Sequence, residues 1–159
     1  GGVMLLPALS GLGAPYWKPE AKAAITGLSF ASTRAHVARA ALEAVSHQLV
    51  DLAAAFRQTG APWKALRIDG GMAANDWLAQ DIADMTGLAV TRPADVETTA
   101  RGAAMLAAVG AGLHPSLEEA AAAMGSEGQL FEPRDLGPAR DDRLAAWHRE
   151  APLEVGMSV

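Results

Sequence analysis

The run Ala65-Leu66-Arg67-Ile68 passes without a break into Asp69-Gly70-Gly71, and a segment of helical spacing opens shortly afterwards at Asn75. A short strand feeding through two glycines into a helix confines the chain to an architecture in which strands and helices alternate. Glycines at the strand end allow positive φ and leave room for a ligand to come close to the backbone. The helix start beyond them presents N–H groups without intrahelical partners and the positive end of the peptide dipoles, a setting that suits phosphate. Asn75 has two open roles, capping that helix or hydrogen-bonding a ribose hydroxyl. On these residues alone a plain strand-to-helix turn with an Asn cap is the favoured reading, because one Gly-Gly pair is weak evidence of a site.

The rest of the chain fits the same alternation. Val3-Met4-Leu5-Leu6, stopped by Pro7, is an apolar run too short for a helix, and a second strand is expected over 23–28, closed by Gly27. Ser32-Thr33 open the clearest helix. Its stripe is Val37, Ala41, Val45, Leu49, Leu52 and Phe56, with Arg39, Glu43, Ser46 and Asp51 off it, and Gly60 and Pro62 end it. The Asn75 helix carries Trp77, Leu78, Ile82 and Met85 on one face and stops at Gly87; a strand over 88–91 ends at Pro93. A helix over 98–112 is rich in small residues that permit close packing on a neighbour. Shorter helices are expected over 116–124 and 139–149. The spacing predicts an α/β domain over 1–150, with Ile68-Asp69 and Val90 on neighbouring parallel strands, and a flexible tail at 151–159. Leu130-Phe131 and the helix bearing Trp147 read as tail packing on that domain.

Composition removes several function classes. The 159 residues carry a net charge of -5 with only 19% charged residues, so the basic stripe that nucleic-acid binding requires is missing. The absence of cysteine removes disulfides, thiolate metal sites and cysteine nucleophiles. No apolar run approaches the ~20 residues that span a bilayer, and no charged segment leads into an apolar one as in a signal peptide. A soluble, cytoplasmic domain is expected. Hydrophobic residues make up 50%, but alanine supplies much of that, so the packing anchors are the Leu, Ile, Val, Met, Phe and Trp positions.

Few residues stand in a catalytic pattern. His36, His47, His114 and His148 have no second ligand at metal-binding spacing, and each is expected in a packing or surface role. Glu118-Glu119 and Asp141-Asp142 read as solvated helix doublets. Asp81 and Asp84 share a helix face, and one of them facing a ligand cleft is left open. Tyr16-Trp17, after Pro15, is either a recognition surface or a loop anchored to the core. No Ser, His and carboxylate set suggests a triad.

Four segments, in order, resemble the C-terminal half of the FGGY carbohydrate kinases. Leu6-Pro7-Ala8-Leu9-Ser10-Gly11-Leu12-Gly13-Ala14-Pro15-Tyr16-Trp17 looks like the glycerol kinase branch. Ala23-Ala24-Ile25-Thr26-Gly27-Leu28, through His36 to Glu43, is similar to the family's second signature. Asp69-Gly70-Gly71-Met72-Ala73-Ala74-Asn75-Asp76 is similar to its adenosine-binding turn, and Arg92-Pro93 with 97–104 to the strand and small-residue helix that follow.

The resemblance implies a ribonuclease H-like (actin-like ATPase) domain, the C-terminal half of a two-domain kinase, lacking its first strands. It implies that Gly71 and Asn75 contact the nucleotide, with Gly70 and Met72 lining the same turn, and that Mg2+ arrives with ATP. It further implies phosphorylation of a polyol or sugar: glycerol to glycerol 3-phosphate first, xylulose or gluconate as the alternative. No residue of this chain matches the family's catalytic aspartate or substrate pocket, which are expected in the missing N-terminal part. The chain alone is therefore expected to be an inactive fragment. A reading from another class makes it a non-catalytic half-domain that binds nucleotide or a partner. A homo-oligomer is left open.

Overall fold

The computed structural model describes residues 1–125 and 127–150, apart from the side chain of residue 150; the tail expected over 151–159 lies outside the described residues. The architecture is α/β. Strands β1 (Met4–Leu6) and β2 (Ala24–Thr26) form an antiparallel pair, with Met4 opposite Thr26 and Leu6 opposite Ala24. A long helix, α1 (Arg34–Gln58), follows. The second sheet contains β3 (Leu66–Arg67), β4 (Val90–Pro93) and β5 (Gly128–Phe131) in the order β3-β4-β5. Helices α2 (Asp76–Thr86), α3 (Thr98–Gly110), α4 (Leu117–Met124) and α5 (Pro138–Glu150) complete the described elements.

The expected parallel pairing is present: Leu66 lies opposite Val90 and Arg67 opposite Thr91. β5 was not expected as a strand. It runs antiparallel to β4, with Phe131 opposite Val90 and Gly128 opposite Pro93, so Leu130-Phe131 belongs to the sheet and is not tail packing. Its first three residues are exposed and only Phe131 is buried, which leaves no alternating pattern to read.

Helices α1 and α2 cover one face of this sheet. Leu78, Ala79, Ile82 and Ala83 of α2 pack with Val90 and Phe131, and Leu42, Val45, Leu49, Leu66, Ile68 and Trp77 close around them. A smaller cluster of Ala8, Leu12 and Tyr16, joined by Leu6 and Ala21, fixes the loop after β1. Tyr16 is buried and Trp17 is 70% exposed, so the first aromatic anchors that loop while the second faces outward.

The stripe expected on α1 is not its buried face: Val37, Ala41, Val45, Leu49 and Leu52 are half-buried and Phe56 is 42% exposed. The buried residues of α1 are Ala40, Ala44, Ser46, His47, Asp51 and Ala53, none of them in that stripe. His47 and Asp51 face α5, where Trp147 is fully buried, its ring stacking on His47 at 5.2 Å between centroids and its indole nitrogen bonding Asp51. α3, by contrast, has no buried residue.

Candidate functional site

At the end of β3 the chain turns sharply. Gly70 has φ 81 and ψ 172, a region open essentially to glycine alone, where an L side chain costs on the order of 1–3 kcal/mol, whereas Gly71 has no positive φ and opens a single 3-10 turn over Gly71–Ala74. The freedom expected of both glycines is thus used at Gly70 alone. The turn closes on itself, with Ala73 N–H donating to Gly70 O at 3.0 Å and Asn75 N–H donating to Met72 O at 3.2 Å. Asn75 then caps α2, its Oδ1 accepting from Leu78 N–H at 3.1 Å. The capping role is therefore realised, and it occupies the side-chain oxygen; the amide nitrogen is the group of Asn75 left for a ligand.

Neighbouring elements hold the turn from both sides. Gly70 N–H donates to Val96 O at 3.0 Å, Ile68 N–H to Thr91 O at 3.0 Å, and the Thr98 hydroxyl to Asp69 Oδ2. Arg92 Nη1 donates to Ala73 O at 2.8 Å, and Arg92 Nη2 lies 2.7 Å from Asp76 Oδ1. Ala73 is buried, while Met72 is 55% exposed and Gly71 and Asn75 are exposed. A Cβ built on Gly70 or Gly71 meets nothing within 4 Å. The four residues expected at a site thus lie together on one rigid, solvent-facing turn, beside open space and at the N-terminus of α2.

A cavity of about 500 Å³ opens beside this turn, between the ends of β3 and β4 and helices α3 and α4. Ile68, Asp69, Thr91, Pro93, Thr98 and Arg101 are among the residues that line it. Ligands of open α/β sheets collect at the carboxyl ends of parallel strands, and Asp69 is common to the cavity and the turn. Gly70, Gly71, Met72 and Asn75 do not line it; Asp69, the neighbour of Gly70 in the chain, does.

The other ionisable residues are engaged elsewhere. Asp81 makes a two-pronged bond with Arg143 of α5 at 2.7 and 3.0 Å. Asp84 accepts from Arg134 N–H at 2.8 Å and from Arg134 Nη2 at 2.6 Å. Burial by itself would raise the Asp84 carboxyl, but those bonds from Arg134 hold it below the ordinary value. Neither Asp81 nor Asp84 lines the cavity beside the turn: both pair with arginines more than forty positions away, a partnership that helical spacing cannot disclose. His36 closes the start of α1, accepting from Thr33 N–H at 3.0 Å. Asp51, which in the sequence is only a polar residue off the α1 stripe, gathers Tyr16, Trp147 and His148; its sequence signal is a carboxylate on a helix face near apolar residues. Among the described residues no group of three or more His, Asp or Glu is placed to hold a metal ion, and no helix is long and apolar enough to cross a membrane.

Comparison with known proteins bears on this turn. Residues 1–111 match the model of the C-terminal domain of the FGGY family of carbohydrate kinases. Over 151 residues the chain is 50% identical to a glycerol kinase of Verminephrobacter eiseniae, a match covering 92% of this chain and 29% of that protein. Its fold superposes on the crystal structure of Plasmodium falciparum glycerol kinase with ADP at a TM-score of 0.75 and 28% identity, covering 99% of this chain and 31% of that one. A xylulose kinase from Rhodospirillum rubrum gives a TM-score of 0.61 at 28% identity, covering 95% and 31%. The chain thus spans less than a third of the length of the relatives it matches.

Proposed function

Because the chain belongs to the FGGY family of carbohydrate kinases and has the ribonuclease H-like α/β fold of their C-terminal domain, we propose that it forms the nucleotide-binding part of a glycerol kinase. In the whole protein a hydroxyl oxygen of glycerol attacks the γ-phosphorus of ATP, ADP leaves, and glycerol 3-phosphate forms. The observation that carries this reading is the Gly70–Asn75 turn, open at both glycines and standing in a chain half identical to a glycerol kinase. The solved relative that superposes on 99% of the chain is described with ADP, which supports the choice of nucleotide.

In this reading residues 1–150 act as one domain. Gly71 leaves space for the adenosine, Gly70 sets the direction of the turn, Met72 offers an exposed apolar side chain against the base, and the Asn75 amide nitrogen donates to the ribose. Asp69 and Asp76 are the carboxylates nearest the turn, and Thr98 and Arg92 hold them. No metal ligand is therefore assigned to this chain, and Mg2+ enters on the phosphates of the nucleotide. The base that takes the hydroxyl proton and the glycerol pocket belong to the polypeptide outside this segment. Phosphoryl transfer rests on positioning around both reactants, so the 159 residues alone do not turn over. The site of action is the cytoplasm.

A second reading keeps the chemistry and changes the acceptor to xylulose or another sugar. The observation behind it is the xylulose kinase match at the same 28% identity as the glycerol kinase structure, with a lower TM-score of 0.61 against 0.75. The deciding experiment is a coupled ADP-release assay of the full-length protein with glycerol, xylulose and gluconate. Turnover of glycerol above the others is expected; turnover of xylulose or gluconate instead moves the assignment to the second reading. No turnover of any of the three, with ATP still bound, leaves a non-catalytic nucleotide-binding half-domain in its place.

A further inference from the structure

Arg92 is the one side chain among the described bonds that joins the turn, the start of α2 and β5. Its side chain is 13% exposed. Nη1 donates to Ala73 O at 2.8 Å; Nη2 donates to Gln129 Oε1 at 2.6 Å and lies 2.7 Å from Asp76 Oδ1; and its Cζ sits 5.3 Å from the centre of the Phe131 ring. A single planar cation therefore meets a backbone carbonyl of the turn, the first residue of α2 and two residues of β5. The carbonyl matters most. Ala73 stands near the end of the 3-10 turn Gly71–Ala74, where carbonyls run short of partners within the helix, and a charged donor there is worth more than a neutral one.

On the other flank, Gly70 N–H and Asp69 are tied to Val96 and Thr98. Gly71 and Met72 lie between the two anchorages, with their own side open. Loss of Arg92 would release one anchorage only, and it would do so at the residues that face a ligand.

We infer that Arg92 is a positioning residue that holds the Gly71–Ala74 turn in the geometry that receives the nucleotide, without touching the nucleotide itself. This rests on the reading of the turn as the nucleotide site. It also explains why an arginine stands at that place in β4. A lysine at the same position supplies charge to Asp76 but has no planar fork with which to reach Ala73 O and Gln129 together.

The test compares Arg92→Met and Arg92→Lys with the parent in the full-length protein, by ATP calorimetry, by KM for ATP and for the acceptor, and by amide exchange over 71–75. Arg92→Met is expected to raise the ATP Kd about tenfold, the loss of one charge-assisted hydrogen bond, to quicken exchange over 71–75 and to leave the acceptor KM unchanged. Arg92→Lys should fall between the two. Asp84→Asn, which breaks the Arg134 pair in the second half of α2, is the control for general loosening and should bind ATP as the parent does. Parental ATP affinity in folded Arg92→Met overturns the inference, and so does equal weakening in Asp84→Asn. Where Arg92→Met does not fold, the same two comparisons are made on Arg92→Lys, and an unchanged ATP Kd there overturns it as well. A parent that binds no ATP is the failure of the nucleotide reading itself, recognised before any variant is made, and this inference falls with it.

Discussion

The indole Nε1 of Trp147 donates to Asp51 Oδ2 at 2.6 Å, tying α5 to the middle of α1 across 96 positions of sequence. The same carboxylate accepts from the Tyr16 hydroxyl, and its Oδ1 lies 2.7 Å from His148 Nε2. Burial, then the bond to Asp51, push the Tyr16 hydroxyl well above its ordinary value, so it stays a donor at any working pH. Asp51 is only 8% exposed. Its charge is stabilised by donors from a loop and a distant helix, which together hold α5 and the loop after β1 on α1.

Asp51→Ala should accordingly lower stability by about 3 kcal/mol, because buried donors lose their acceptor and nothing replaces it. Asp51→Asn should lose less, since its amide oxygen still accepts. Urea denaturation of the full-length protein checks both, and a parental midpoint for Asp51→Ala would show that the three contacts add nothing.

His47 gives the protein a defined pH response. Its ring is buried under Trp147 with both nitrogens unpartnered. Burial first, and then the Arg143 charge, lower its pKa from 6.5 to about 4. The unfolded chain therefore binds a proton between those two values that the folded chain refuses. Stability is full above pH 6.5, falls as the pH drops from there, and the loss is complete near pH 4. The total is on the order of 3 kcal/mol. Asp84, held below its ordinary 3.8, has the same sign in a lower window, so the two separate. His47→Phe should flatten the denaturation midpoint between pH 7 and 4.5; an unchanged slope would mean that another group carries it.

The contrast between α1 and α2 explains what was legible. Leu78 and Ile82 of the expected α2 face are buried in the cluster with Val90 and Phe131 and Trp77 closes on it, since that face meets the sheet directly. The parallel register of Leu66 with Val90 follows from two short apolar runs joined by a helix, which leaves little choice of hand or partner. α1 is covered on more than one side, and its aliphatic stripe is only half-buried. Another side carries His47 and Asp51, which are buried because α5 brings Trp147 and His148 to them from about a hundred residues away. Nothing local encodes that meeting. The same holds for β5, whose one buried residue is Phe131, and for Arg92, which reads as a strand residue until its three acceptors are seen.

Adjacent glycines in the turn should behave differently when substituted. At Gly70 a side chain meets φ 81 and ψ 172, so Gly70→Ala is expected to cost on the order of 1–3 kcal/mol in stability whatever the ligand. At Gly71 there is no left-handed backbone and nothing within 4 Å of a Cβ. Gly71→Val should then fold with parental stability and lose ATP binding, because its branches fill the space assigned to the adenosine. Thermal denaturation paired with ATP calorimetry separates the two variants. A folded Gly71→Val with parental ATP affinity would place the nucleotide elsewhere.

Asn75 allows the two roles of one side chain to be pulled apart. Its Oδ1 caps α2 through Leu78 N–H, and its amide nitrogen is assigned to the ribose. Asn75→Ala removes both and should lose about 1 kcal/mol of stability along with ATP affinity. Asn75→Asp keeps the cap, and adds a negative charge at a helix N-terminus, where it is favourable. The aspartate nevertheless has no amide donor and repels phosphate. It is expected to be as stable as the parent and to bind ATP at least tenfold more weakly, a difference of about 1.4 kcal/mol. Should Asn75→Asp bind ATP as the parent does, the side chain is a cap alone, and the ribose contact must be sought among the exposed N–H groups of the turn.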